Sequence, residues 1–171
     1  RLIVLLDQAE TPMHDLILRL KEHYPIQDFS SYLADVRNID RMKSMMDLYR
    51  PDIVFHAAAY KHVPLMEDNP TESIQANVLG TKNMADLSVR YGVSRFVMVS
   101  TDKAVNPTNV MGASKRIAEI YVQSLNRKQE IDGKVVTKFI TTRFGNVLGS
   151  NGSVIPRFRQ QIPKGGPVTV P

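Results

Sequence analysis

The 171-residue sequence contains no cysteine and no tryptophan. Without cysteine there are no disulfides and no thiolate metal sites, the usage expected of a reducing compartment. No apolar stretch nears the roughly 20 residues that a membrane-spanning helix needs. No secretory leader is expected, because Arg1 leads straight into a strand-like run. Glycine is also missing early: all nine glycines stand at Gly80 or later. A G-x-G-x-x-G turn, which cradles a pyrophosphate, therefore does not open the chain. There is no internal repeat and no low-complexity segment. The net charge of +5 is scattered, and no aromatic-basic interleaving marks a stacking platform, so no nucleic-acid partner is expected. A solvated surface with some attraction to anions accounts for the charge. Histidine is scarce too. His56 and His62 are six apart, with no H-E-x-x-H and no carboxylate at ligand spacing, so no metal site is expected.

What is present is ordinary for a soluble globular protein: 43% hydrophobic and 23% charged residues, in a length that supports one domain with a core. Residues 2–6 are all apolar and read as a strand closed by Asp7. Residues 11–23 read as a helix, with Thr11 as N-cap, Pro12 in the first turn, and Met13, Leu16, Ile17 and Leu20 at helical spacing. Residues 30–34 form a short strand that exits into Asp35-Val36-Arg37. Residues 39–49 are a helix whose Met42, Met45, Met46 and Leu48 read as core filling, ended by Pro51. Residues 53–55 lead into His56-Ala57-Ala58-Ala59-Tyr60-Lys61-His62. The small residues there let a flat molecule approach the backbone. Asn69-Pro70 begins a long helix to about Tyr91, with Gly92 at C′. Ile74, Val78, Met84 and Leu87 of this helix face the core, and Asn77 among them needs a partner. Asp132-Gly133 is a turn signal, and residues 135–142 are another strand.

The chain is organised around residues 96–115, FVMVSTDKAVNPTNVMGASK. The unalternating run Phe96-Val97-Met98-Val99 suits a strand buried on both faces of a parallel sheet. Four polar residues follow, Ser100-Thr101-Asp102-Lys103, at the strand end where open α/β sheets gather functional groups. A helix begins near Met111, and Met111 and Lys115 share one of its faces. This stretch resembles the extended short-chain dehydrogenase/reductases that act on nucleotide sugars. There the helix carries Tyr-x-x-x-Lys; here the spacing holds with Met111 in the Tyr place. Thr101-Asp102-Lys103 with the Met variant is similar to the bacterial UDP-N-acetylglucosamine 4,6-dehydratases of capsule, lipopolysaccharide and protein-glycan synthesis. The likeness runs from Leu2 to Val170.

The resemblance implies an α/β fold, a Rossmann-like doubly wound parallel sheet, N-terminally truncated before the second strand. Residues 1–171 are then a partial NAD-binding Rossmann domain that lacks the first strand, its Gly-rich turn and the C-terminal substrate region. NAD is the implied cofactor. Asp7 takes the place of the acid that binds the adenosine ribose, although the residues alone read equally well as a turn. Asp35 and Val36 lie against the adenine, Ala57, Ala58 and Ala59 cover the dinucleotide, and Asn77 braces the active-site backbone. Lys115 goes to the nicotinamide ribose. Lys61 and His62 reach toward the sugar nucleotide, and Asn146 with Ser153, Val154, Ile155 and Pro156 holds the sugar and phosphates. A UDP-sugar is the implied substrate. The full-length protein is expected to be a homo-oligomer tethered at the cytoplasmic face of the bacterial membrane.

The implied reaction is an internal redox cycle: oxidation at C4 of the hexose, loss of the C5 proton, loss of water from C6, and return of hydride to C6. A thioether carries no exchangeable proton, so Met111 cannot be the oxidation base. Thr101 and Asp102 are the candidates for the C4 proton, Lys103 for the C5 base, and Asp102 for the acid at C6. A basic Lys103 must be neutral, which asks for burial or the nearby charge of Lys115. Taken without the surrounding motifs, Asp102 and Lys103 read as a loop ion pair. The competing functions are a 4-epimerase or a 5-inverting dehydratase of the same fold, and a non-catalytic nucleotide-binding module.

Overall fold

The computed structural model describes residues 2–134, 136–147 and 154–168. Five strands alternate with helices. Strand β1 (Ile3–Asp7) is followed by α1 (Glu10–His23), β2 (Phe29–Leu33), α2 (Ile39–Tyr49) and β3 (Ile53–His56). Then come α3 (Val63–Asp68), α4 (Pro70–Ser73), a π-helical segment (Ile74–Leu79) and α5 (Gly80–Tyr91). Strand β4 (Arg95–Thr101), a 3-10 turn (Asp102–Ala104), α6 (Val110–Ile131), β5 (Lys138–Phe144) and α7 (Val154–Gln161) complete the order.

All strand pairings are parallel. β1 pairs with β2, and β4 lies between β3 and β5. Parallel strands joined through helices are the arrangement of a doubly wound sheet. Among the described residues β1 and β3 are not hydrogen-bonded to each other. The fold is α/β and Rossmann-like.

The core lies on one face of the three-stranded sheet. Met42 and Met46 of α2, Met84, Ala85 and Leu87 of α5, and Ala118 and Val122 of α6 close over Phe96 and Met98 of β4. Each such large apolar side chain contributes about 1.5–3 kcal/mol by leaving water. Phe96 stacks at 5.4 Å from Phe139 of β5 and 5.5 Å from His56 of β3. The other face is open. Phe55, Val97 and Ile140 share one cross-strand row, and Phe55 is 75% exposed. β4 thus alternates between buried and half-buried residues, where the apolar run predicted burial on both faces.

Other boundaries shift for local reasons. The N-cap of α1 is Ala9, not Thr11, because Asp7 Oδ1 accepts the Ala9 N–H at 2.8 Å and turns the chain earlier. β5 starts at Lys138 rather than including Val136 and Thr137, and residue 135 lies outside the described residues. Gln129 of α6 takes the backbone of Val136 and Thr137 first: its Oε1 accepts both N–H groups at 3.0 Å and its Nε2 donates to Thr137 O at 3.0 Å. Leu48 and Ile74 are exposed rather than core residues. Across the π-helical segment the amide of Gly80 bonds to Gln75 O, five residues back. That wider turn changes the helical phase, so Ser73, Ala76 and Asn77 face inward and Ile74 faces out. The predicted helix 39–49 agrees with α2, whose Asn38 cap accepts the Arg41 N–H.

Candidate active site

Within each sheet the carboxyl ends lie at one side, because every pairing is parallel, and Gln8 after β1 donates to Tyr60 Oη after β3 at 3.4 Å, which brings the two sets of ends together. β4 ends there in Thr101, and the 3-10 turn that follows brings three acid-base groups together. Thr101 Oγ1 donates to Asp102 Oδ1 at 2.8 Å. Lys103 Nζ donates to the same oxygen at 3.2 Å and to Asn146 Oδ1 at 3.2 Å. The Thr101 and Lys103 hydrogen bonds hold the Asp102 carboxyl below its usual range, so it rests as an anion. Asp102 and Lys103 do form the loop ion pair that the bare sequence suggested. Lys103 is not buried, however; its side chain is 36% exposed.

Helix α6 backs this cluster. Asn109 caps it by accepting the Gly112 N–H at 2.8 Å, and Glu67 of α3 accepts the Val110 N–H at 2.6 Å. A carboxylate at a helix N-terminus also meets the positive end of the dipole. Gly112 allows the close approach of the 3-10 turn. A Cβ there would sit 2.4 Å from the Lys103 carbonyl oxygen. Met111 is buried at 3% exposure, and no phenol stands in its place. Lys115, also buried, donates from Nζ to Val99 O at 2.8 Å. Burial pulls its ammonium down to about 8, partly opposed by Glu119.

Glu119 lies one turn beyond Lys115, wholly buried, gripped by Arg143 at 2.8 and 2.5 Å and by Arg116 at 3.1 Å. Burial pushes its carboxyl up, but the arginine hydrogen bonds outweigh that and hold it at about 2. Ser100 lies beside the same carboxylate, but its Oγ makes no hydrogen bond of acceptable geometry, so we assign the shift to the arginines. Arg143 is in β5, three residues before Asn146. The Glu119–Arg143 pair therefore ties the strand that carries Asn146 to the helix that carries Lys115. Sequence reasoning passed over Glu119, Gly112 and Glu67 as functional positions. The only signal for the first was its spacing of four from Lys115.

A second network joins the loop after β3 to α6. Asn77, fully buried, accepts the Tyr60 N–H at 2.8 Å and donates to Tyr60 O at 3.1 Å and to Ser114 Oγ at 2.9 Å. Ser73 also donates to Ser114, whose own proton goes to Met111 O at 2.7 Å. Asn77 thus braces the backbone of Tyr60. His56 Nε2 lies 2.8 Å from Thr81 Oγ1. The Thr81 proton is committed to Asn77 O at 2.7 Å, so His56 donates. Burial, and secondarily the Lys115 charge, bring the imidazole down to about 3. His56 is a neutral structural group.

Asp7, Val36, Ala57, Ala58, Ala59, Lys61 and His62 lie at or after the ends of the first three strands. Asp7 keeps one carboxylate oxygen without a hydrogen bond among the described residues. Val36 is held from α5. Asn83 Nδ2 donates to Val36 O at 3.1 Å, and a Cβ on Gly80 would lie 2.5 Å from Val36 Cγ2. Gly80 is the opening that seats this loop. Ala57, Ala58 and Ala59 follow β3 without regular structure, and Lys61 and His62 are exposed before α3. Ile155 and Pro156 are in the first turn of α7, which Val154 opens; Ser153 lies outside the described residues. Among the described residues no three His, Asp or Glu side chains converge as a metal set.

The family profile of the "Polysaccharide biosynthesis protein" matches residues 1–171. The chain belongs to this family. Within it, a capsular polysaccharide biosynthesis protein, CapD, of Staphylococcus aureus is 53% identical over 98% of this chain. The chain spans about a quarter (27%) of that relative's length. An inverting UDP-N-acetylglucosamine 4,6-dehydratase of Campylobacter jejuni is 42% identical over 78% of this chain and 39% of its own length. A UDP-glucose 4-epimerase of Rickettsia canadensis is 42% identical over 81% and 39%. The solved structure of Pen from Bacillus thuringiensis superposes with a TM-score of 0.87 at 34% identity, over 99% of this chain and 51% of that one. No helix among the described residues is long and apolar enough to cross a membrane.

Proposed function

We propose that this chain is the catalytic centre of a nucleotide-sugar 4,6-dehydratase that converts UDP-N-acetylglucosamine to its 4-keto-6-deoxy derivative. One observation carries the reading. The helix position where a phenol would serve as base is the buried thioether of Met111, while Thr101, Asp102, Lys103 and Asn146 form a hydrogen-bonded acid-base cluster beside it. NAD is the cofactor, held by Asp7, the Val36 loop, the Ala57–Ala59 segment and Lys115. When bound, it would supply the hydride chemistry these side chains lack, oxidation at C4 of the hexose and reduction at C6.

The residues divide the protons. Asp102 rests ionised, so it accepts the C4 hydroxyl proton, relayed by Thr101. Protonated Asp102 no longer provides the anion that holds the Lys103 proton. Lys103, whose side chain is 36% exposed, gives that proton to solvent and regains it when the cycle closes; in between it takes the proton from C5, which the C4 ketone has made acidic. Asp102 returns its proton to the C6 hydroxyl, which leaves as water. Lys103 then protonates C5 as C6 is reduced. The sum is loss of one water, with no external reductant. Asp102 is the base first and the acid second, which its low resting proton affinity favours over an acid role alone. Asn146 holds Lys103 aimed at the sugar, and Glu119 with Arg143 holds Asn146. A 4-epimerase needs neither a C5 base nor a C6 acid, so the cluster favours dehydration.

The full-length protein is proposed to be a membrane-tethered homo-oligomer in capsule, lipopolysaccharide or glycan synthesis. Incubated with UDP-N-acetylglucosamine and no reductant, it should give a product lighter by one water. An unchanged mass with a new C4 configuration would mean epimerase, and bound nucleotide without turnover a binding module. Lys103→Ala should still oxidise C4, releasing on quenching a sugar two hydrogens lighter, but should form no dehydrated product. Solvent deuterium entering C5 in that variant would remove Lys103 from its role.

A further inference from the structure

Arg37 follows the Asp35-Val36 pair at the end of β2, within reach of Gln8 beyond β1. In dinucleotide-binding folds an acid at this end of the sheet selects a free ribose 2′-hydroxyl, and a nearby arginine accommodates a 2′-phosphate. This chain carries both, Asp7 and Arg37. The arginine is already engaged. Its Nε donates to Asp35 Oδ2 at 2.8 Å, and Nη2 lies 2.6 Å from the same oxygen. Its Nη1 donates to Glu72 Oε2 at 2.8 Å, and Nη2 reaches Gln8 Oε1 at 3.4 Å. Hydrogen bonds occupy three of the five guanidinium N–H groups, and the Asp35 ion pair adds to them. The backbone closes the ring, since Arg37 N–H donates to Asp35 Oδ1 at 2.8 Å. The carboxylates outnumber the guanidinium two to one, so an incoming phosphate meets net negative charge.

We propose that Asp35 and Glu72 clamp Arg37 away from a 2′-phosphate, so that preference for NAD over NADP belongs to Asp7, Asp35, Arg37 and Glu72 acting together. Glu72 is the member that can be released. It comes from α4 rather than a strand end, and its side chain is 47% exposed. The inference rests on the cofactor reading above.

The test measures NAD and NADP dissociation constants of the full-length protein by calorimetry. The variants are Asp7→Ser, Asp7→Ser with Glu72→Gln, and that pair with Arg37→Gln. Wild type should bind NAD about tenfold or more tighter than NADP. Asp7→Ser should weaken NAD with little gain for NADP. Adding Glu72→Gln frees one arm of the guanidinium and should tighten NADP about tenfold, the scale of a charge-assisted pair. Adding Arg37→Gln should erase that gain. A pair no better for NADP than Asp7→Ser, or a gain that survives Arg37→Gln, overturns the clamp and leaves the cofactor reading standing. A wild type that binds neither dinucleotide overturns both.

Discussion

Lys115 and Glu119 sit one turn apart on α6, both buried, and each makes stability rise with pH, in separate ranges. The unfolded chain keeps a lysine proton up to about 10.5, whereas folded Lys115 gives it up near 8. Between those values the unfolded state binds more protons, so stability rises with pH. Lys115→Met should lack that rise. Urea midpoints of wild type and variant that stay parallel from about pH 7 to pH 10 would contradict it. For Glu119 the folded value is about 2 against 4.5 unfolded. Its stabilisation is present above 4.5 and lost as pH falls through 2. Glu119→Gln leaves Arg143 without its anion and should cost roughly 3 kcal/mol, seen as a lower urea midpoint at neutral pH. The sequence disclosed Thr101, Asp102, Lys103 and Lys115 because their pattern is a motif. It was silent on Glu119, because one glutamate on an amphipathic helix looks like any solvated charge until Arg143 is seen to arrive from another strand.

The elements hold the site by contact of backbone on backbone. Gly112→Ala would drive a methyl group to 2.4 Å from the Lys103 carbonyl oxygen. That obstacle is main chain, so the 3-10 turn must move away from α6. Destabilisation of about 1–3 kcal/mol is expected, with turnover falling further than the melting temperature alone explains. Turnover unchanged in a folded Gly112→Ala protein would show that this approach does not position Lys103. Element limits were legible where breakers are local, as at Pro51 after α2. They were not legible where a distant side chain intervenes. Gln129 takes the amides of Val136 and Thr137 and delays β5, and no local propensity announces that.

At the scale of the molecule, one sheet face is packed by α2, α5 and α6 and the other shows the row Phe55, Val97 and Ile140. An apolar row on a sheet surface drives association. The 171-residue chain produced by itself should therefore self-associate, and Phe55→Lys should reduce this, as light scattering would record. A monodisperse monomer with Phe55 intact would argue that the row is too small to matter. The strand succession was readable from the apolar runs. Pairing and register were not, because parallel neighbours such as β4 and β5 are joined through a 22-residue helix and meet only in three dimensions.

The π-helical segment makes the helix between Pro70 and Tyr91 a screw with one thread out of step. Ser73 and Asn77 engage Ser114 on the near side of the step, and Gly80 and Asn83 seat Val36 on the far side. Each residue of an α-helix turns about 100°. Shortening the segment by one residue would keep the helix whole yet rotate one pair of contacts away by that angle. The chain's length here is thus fixed by timing, as gear teeth are: a deletion tolerable in a loop would uncouple the Val36 loop from the helix that carries Lys115.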